Sequence, residues 1–136
     1  MSVFTDKWID EHKDELVEKL QQCVRINSVR DDGSAREGAP FGEGAAKCLE
    51  DTLNTAKAMG FEVKNLDGYC GTVDYGTGEE QLGILAHLDV VPEGEGWTYP
   101  PYAAEIHDGR LYGRGTMDDK GPAFAALFGL AAVKAS

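Results

Sequence analysis

Apolar residues recur at helical spacing in two early stretches of the chain, and then the period changes to two. Ile9, Leu16, Leu20 and Cys23/Val24 share one face of the segment from Thr5 to Ile26, while Glu11, Lys13, Asp14, Glu18 and Lys19 fill the other. That pattern predicts an amphipathic helix, which Thr5 or Asp6 can cap. Between Asn27 and Gly44 lie Asp31-Asp32-Gly33-Ser34 and Arg36-Glu37-Gly38-Ala39-Pro40, polar and dense in breakers, which predicts a long loop. A second helix is expected from about Gly44 to Met59. Ala45, Cys48, Leu49, Thr52, Leu53, Ala56 and Met59 line one face of it, and Gly60 is its stop.

After Gly60 the run Phe61-Glu62-Val63-Lys64-Asn65-Leu66 alternates as a half-buried strand does. Asp67-Gly68 turns the chain, and Tyr69 to Tyr75 reads as the partner strand. Leu82-Gly83-Ile84-Leu85-Ala86 is continuously apolar, the pattern of a strand buried on both faces. Ala103 to Ile106 and Arg110 to Tyr112 flank Asp108-Gly109, a hairpin signal. Gly113-Arg114-Gly115 then opens a loop into a last apolar helix, Ala123 to Ala135, with Pro122 placed in its first turn. Helices before and after strands give an α/β class, read as a three-layer sandwich with a mixed sheet.

Composition narrows the function. The 136 residues include 13 basic and 24 acidic side chains, for a net charge of 13 − 24 = −11. Such a chain repels phosphate backbones and anionic membrane surfaces, so neither nucleic acid nor a membrane is expected as a partner. The longest apolar run, broken by Gly129, is too short to span a bilayer, and the start Met1-Ser2-Val3-Phe4 carries no basic region ahead of an apolar stretch. Cys23, Cys48 and Cys70 are odd in number and share no C-x-x-C spacing. Reduced thiols and a cytoplasmic location are the default, without a cysteine-built metal site.

Two constellations carry chemistry. His87-Leu88-Asp89 follows the most apolar run, where open α/β sheets place their ligands. Side chains two apart on a strand point the same way, so Asp89 can hold one ring nitrogen while His87 offers the other to a metal. The same triplet also fits a buried histidine bonded to a turn acid. The second constellation is Gly115-Thr116-Met117-Asp118-Asp119-Lys120-Gly121-Pro122, two adjacent acids at a helix N-terminus. One acid can cap the helix, and the other is free to bridge metal ions. Glu79-Glu80 is read as a solvated turn, and His12 and His107 as surface histidines.

In their order and separation, with Gly96-Trp97-Thr98-Tyr99-Pro100-Pro101-Tyr102 and Asp108-Gly109 between them, these stretches resemble a family of dinuclear-zinc metallopeptidases. That family contains the carnosinase-type dipeptidases, aminoacylase, succinyl-diaminopimelate desuccinylase and carboxypeptidase G. Ile84 to Pro122 carries the likeness most specifically. Asp118-Asp119-Lys120 looks like the bacterial dipeptidase branch, since the deacetylases of the family usually have Asp-Met-Lys there. The resemblance implies two Zn²⁺ per active site, with His87 a ligand of one zinc and Asp118 the carboxylate bridging both. It implies Asp89 as the catalytic-site acid that orients His87, a cis peptide after Asp118, and Asp119 as a cap, not a ligand.

The implied reaction is hydrolysis of the amide bond of a dipeptide by a metal-bridged water. An N-acyl amino acid deacylase or desuccinylase on the same scaffold is the alternative substrate class, and a non-catalytic truncated binding module the alternative from outside the enzymes. A homodimer is left open as the assembly. The family's glutamate base and its remaining ligands all follow the second motif, and none follows Asp118 here. Residues 1–136 are therefore expected to be the N-terminal part of one catalytic domain, inactive alone.

Overall fold

The computed structural model describes residues 3–136; Met1 and Ser2, where the reading for a leader begins, lie outside them. Helix α1 spans Val3–Val24 and α2 Glu43–Ala58. Strands β1 (Glu62–Leu66) and β2 (Cys70–Asp74) follow, then β3 (Glu105–His107), β4 (Arg110–Tyr112) and helix α3 (Lys120–Ala135). The two early helices and both hairpins lie within a residue or two of their predicted bounds. The long loop after α1 contains one 3-10 turn, Asp32–Ser34, capped by Asp31 through its carboxylate on the Gly33 N–H at 3.0 Å.

The amphipathic faces explain the packing. α1 turns Leu20, Cys23 and Val24 inward against Phe124 and Phe128 of α3, joined by Cys48 of α2 and by Ile26 and Ala104. A second apolar cluster, Ala56, Phe61, Leu127 and Ala131, seats the β1–β2 hairpin on α2 and α3. The most extensive helix–helix contact is α1 on α3. Burying two phenylalanines at 1% and 0% exposure supplies several kcal/mol, at roughly 1.5–3 kcal/mol for each large apolar side chain.

Both hairpins follow the turn chemistry. Asp67 and Gly68 take positive φ between β1 and β2, and Asp108 and Gly109 do the same between β3 and β4. The α/β class holds. Among the described residues the ladders are two separate antiparallel pairs, and the one parallel contact is the bridge between Val29 and Val90.

The apolar run Leu82 to Ala86 does not behave as predicted. It forms no strand and lies in solvent, Leu82 at 89% and Leu85 at 99% exposure. A strand buried on both faces draws its burial from neighbouring strands and covering helices. No described strand pairs with this run. No described helix is long and apolar enough to cross a membrane.

Candidate functional site

The two sequence motifs meet in space. Nε2 of His87 lies 3.0 Å from Oδ1 of Asp118, across 31 residues of chain. On the other side of the ring, Nδ1 lies 3.1 Å from the Asp89 carbonyl oxygen and 3.3 Å from its Oδ1. Both ring nitrogens therefore face oxygen acceptors. A neutral imidazole has one N–H and leaves one of those contacts without a proton. Either a proton or a cation must stand between Nε2 and the Asp118 carboxylate.

The titration behaviour follows the same logic. Partial burial works against the charged ring. The Asp118 hydrogen bond, the Asp89 carbonyl and the charges of both acids outweigh it and hold the His87 pKa above the ordinary histidine value. The donor set also suits zinc. Two ligands about 2.0–2.2 Å from one tetrahedral ion stand roughly 3.3 Å apart, so the 3.0 Å gap needs to open by only a few tenths of an ångström. Nδ1 is already held by an oxygen, as the outer nitrogen of a ligating histidine generally is. Among the described residues no group of three or more His, Cys, Asp or Glu is arranged to hold a metal. The pair is open to solvent, with the Asp118 side chain 87% exposed.

The loop that carries Asp118 is closed by glycine. Gly115 has φ +92°, and a Cβ there would meet Lys120 Cδ and Val90 Cγ1, each at 3.0 Å. A Cβ on Gly121 would collide with the Thr116 carbonyl oxygen. The Asp118–Asp119 peptide is cis, as the resemblance implied.

Asp119 departs from expectation. It occupies the position before α3, yet its carboxylate caps nothing in the helix. Oδ2 accepts the backbone N–H of His87 at 3.1 Å, so both acids of the pair are turned toward the histidine. An acid free to reach a backbone donor elsewhere leaves the helix end to other partners. His12 and His107 are half-buried rather than fully at the surface. His12 stacks on Trp8 at 3.8 Å, and His107 stacks on Tyr99 at 3.8 Å while contacting Glu105 at 2.7 Å. Neither reaches the His87–Asp118 pair. Glu79 and Glu80 are exposed, as expected of a solvated turn.

Sequence reasoning missed the supports beneath the pair. Ser28, fully buried, donates Oγ to the Leu88 carbonyl at 2.6 Å, and its own carbonyl accepts from Val90 N at 3.3 Å. A polar residue directly after an amphipathic helix and ahead of the breakers was the available signal. Lys120, also fully buried, was signalled by its place between two acids and an apolar helix. Cys23 and Cys48 lie behind Ser28 with their sulfurs 3.5 Å apart, and all three cysteines are free. The hydrogen bond with Cys23 holds the Cys48 pKa down to about 7, against burial and with help from the Lys120 charge. The same contact, together with burial, pushes the Cys23 pKa up. The connecting loop is tied down as well: Trp97 Nε1 and Arg114 Nη2 both donate to the Glu93 carbonyl, at 2.8 and 3.1 Å, and Tyr102 donates to the Glu93 carboxylate at 2.9 Å.

Comparison with known proteins converges on one group. Residues 83–136 match Peptidase family M20/M25/M40. YtjP of Bacillus subtilis (strain 168), whose name places it among the dipeptidases, is 48% identical over 122 residues, covering 90% of this chain and 26% of that protein. The Beta-Ala-Xaa dipeptidase of Lactobacillus delbrueckii subsp. lactis is 42% identical over 123 residues, with coverage of 90% and 26%. The crystal structure of human carnosine dipeptidase 1 superposes with a TM-score of 0.64 at 28% identity, covering 96% of this chain and 31% of that one. The chain thus spans about a quarter of the length of the curated relatives it matches. The resemblance carried by Ile84 to Pro122 is borne out: in sequence over residues 83–136 and in fold over nearly the whole chain, this protein is similar to the M20/M25/M40 peptidases and to dipeptidases related to them.

Proposed function

We propose that this chain supplies part of the active site of a zinc-dependent dipeptidase, as the N-terminal part, residues 1–136, of its catalytic domain. The observation that carries the reading is the His87 ring held between two acids, with Nε2 facing Asp118 at 3.0 Å and Nδ1 facing Asp89. His87 would hold one zinc through Nε2, and Asp118 would bridge that zinc to a second. The chemistry supplied there, once zinc is bound, is Lewis-acid activation of water and of the scissile amide carbonyl.

The chain's own residues do the positioning. Asp89 keeps the proton on Nδ1, which leaves the Nε2 lone pair for the metal and fixes the ring plane. Asp119 restrains the His87 backbone through its N–H. A dipeptide is the substrate class that the relatives' names favour.

The test is metal content and turnover in the complete enzyme that contains this segment. Asp118→Ala and His87→Ala are each expected to lose at least one zinc and dipeptide hydrolysis together. Full zinc occupancy in Asp118→Ala would overturn the bridging assignment.

A further inference from the structure

Lysine is almost never withdrawn fully from water unless its amino group is paired. Lys120 is fully buried, and its Nζ donates to two backbone carbonyls, Cys23 O at 3.0 Å and Ile26 O at 2.7 Å. Cys23 sits in the last turn of α1, where the final carbonyls lack partners within the helix, and Ile26 lies two residues past its end. The lysine therefore ties the end of α1 to the residue immediately after Asp119.

From the same stretch the chain reaches the other half of the site. Ser28 holds the carbonyl of Leu88, the residue between His87 and Asp89, and is paired through its backbone with Val90. Residues 23–28 thus carry both motifs, one by the Lys120 tether and one by the Ser28 clamp. Gly115 packs directly against the lysine stem and Val90, which leaves the two halves no slack between them.

We propose that Lys120 is a positioning residue: it sets the Asp118–Asp119 loop on the end of α1 so that Asp118 meets Nε2, and Asp119 the backbone N–H, of His87. The proposal deepens the zinc reading and rests on it for the identity of the ion. The placement itself is a property of the chain and is read without metal.

The decisive measurement is amide hydrogen exchange by NMR on the full 136-residue chain and its Lys120→Met variant, which keeps an unbranched stem one atom shorter and removes the donor. The His87 N–H reports the loop directly, because it donates to Asp119. It is expected to exchange at least about tenfold faster in the variant, while the Phe124 and Phe128 amides of α3 keep their protection. Equal acceleration at all three sites would make Lys120 a general stabiliser, and an unchanged His87 rate would remove it from the site; either overturns the proposal.

Should Lys120→Met not fold, native-state exchange of the wild type in mild denaturant decides. The His87 amide must then open with the Ile26 amide, which closes the end of α1 on Cys23 O, as one unit with one denaturant dependence. Independent opening overturns the proposal. In the complete enzyme, Lys120→Met is expected to weaken zinc about 10–100-fold, the usual effect of disturbing what orients a ligand. Absence of zinc from the wild type would refute the dipeptidase reading and leave the exchange result to judge Lys120.

Discussion

Ser28→Ala isolates one bond on which the histidine half of the site depends. Ser28 is fully buried and donates its hydroxyl to the Leu88 carbonyl at 2.6 Å, a short bond whose donor side is closed to water. Removing one partner from a buried hydrogen bond costs about 1–3 kcal/mol, because the remaining group keeps its desolvation penalty. The Cys48 thiol also points at that carbonyl, at 3.8 Å, and offers a weak substitute donor. The expected loss is therefore in the lower half of the range, about 1–2 kcal/mol. For a chain of this length that corresponds to a melting temperature lower by roughly 3–10 °C. Urea unfolding followed by circular dichroism measures it, with an unchanged m value showing that the denatured state is unaltered. A loss below about 0.5 kcal/mol, the range of ordinary surface substitutions, would refute the argument that this bond bears on the placement of His87.

Other consequences follow from the same geometry. His87 titrates above the ordinary histidine value, so the stabilisation from its contacts with Asp118 and Asp89 is complete below that ordinary value. It is lost as pH rises through the higher folded-state value, and Asp118→Asn should move the His87 NMR titration midpoint down; an unmoved midpoint would show that the 3.0 Å contact does not exist in solution. Phe128→Ala, at a site with no exposure between α1 and α3, should cost about 3–5 kcal/mol in chemical denaturation, and a value under 1 would mean the two helices do not pack as described. Asp89→Asn in the complete enzyme should leave the fold intact and weaken zinc affinity about 10–100-fold, measured by competition with a chelating dye. The 136-residue chain alone, with His87 and Asp118 as its proposed zinc donors, should show no dipeptide turnover with zinc supplied, and turnover within about tenfold of the complete enzyme would mean it holds its own base and ligands.

What was legible in the sequence was what is decided locally. α1 and α2 announce themselves because apolar residues at helical spacing make a stripe whatever packs on it. Asp67-Gly68 and Asp108-Gly109 announce hairpins because their backbone angles suit those two residue types. Leu82 to Ala86 was misread as a paired strand for the opposite reason: an apolar run records a demand for burial, while pairing depends on partners elsewhere. Asp119 was misread because a cap is the commonest use of an acid before a helix, and only the fold shows a competing backbone donor at His87. Lys120 and Ser28 went unassigned because their partners are backbone carbonyls, 94 and 60 residues away, which no side-chain pattern reveals.

That last difference bears on how the site is built. His87 and Asp118 are both largely exposed, and charges facing water attract each other weakly across a screened gap. Their attraction alone would not hold a ring and a carboxylate from distant segments at a fixed separation. The restraint has to come from below, where the dielectric is low and an unpaired donor or acceptor is costly. Lys120 and Ser28 are the fully buried polar side chains among the described residues, and each spends its hydrogen bonds on the frame of the site and not on the site itself. The exposed pair faces solvent, and the buried side chains hold the segments that bring its two members within 3.0 Å of each other.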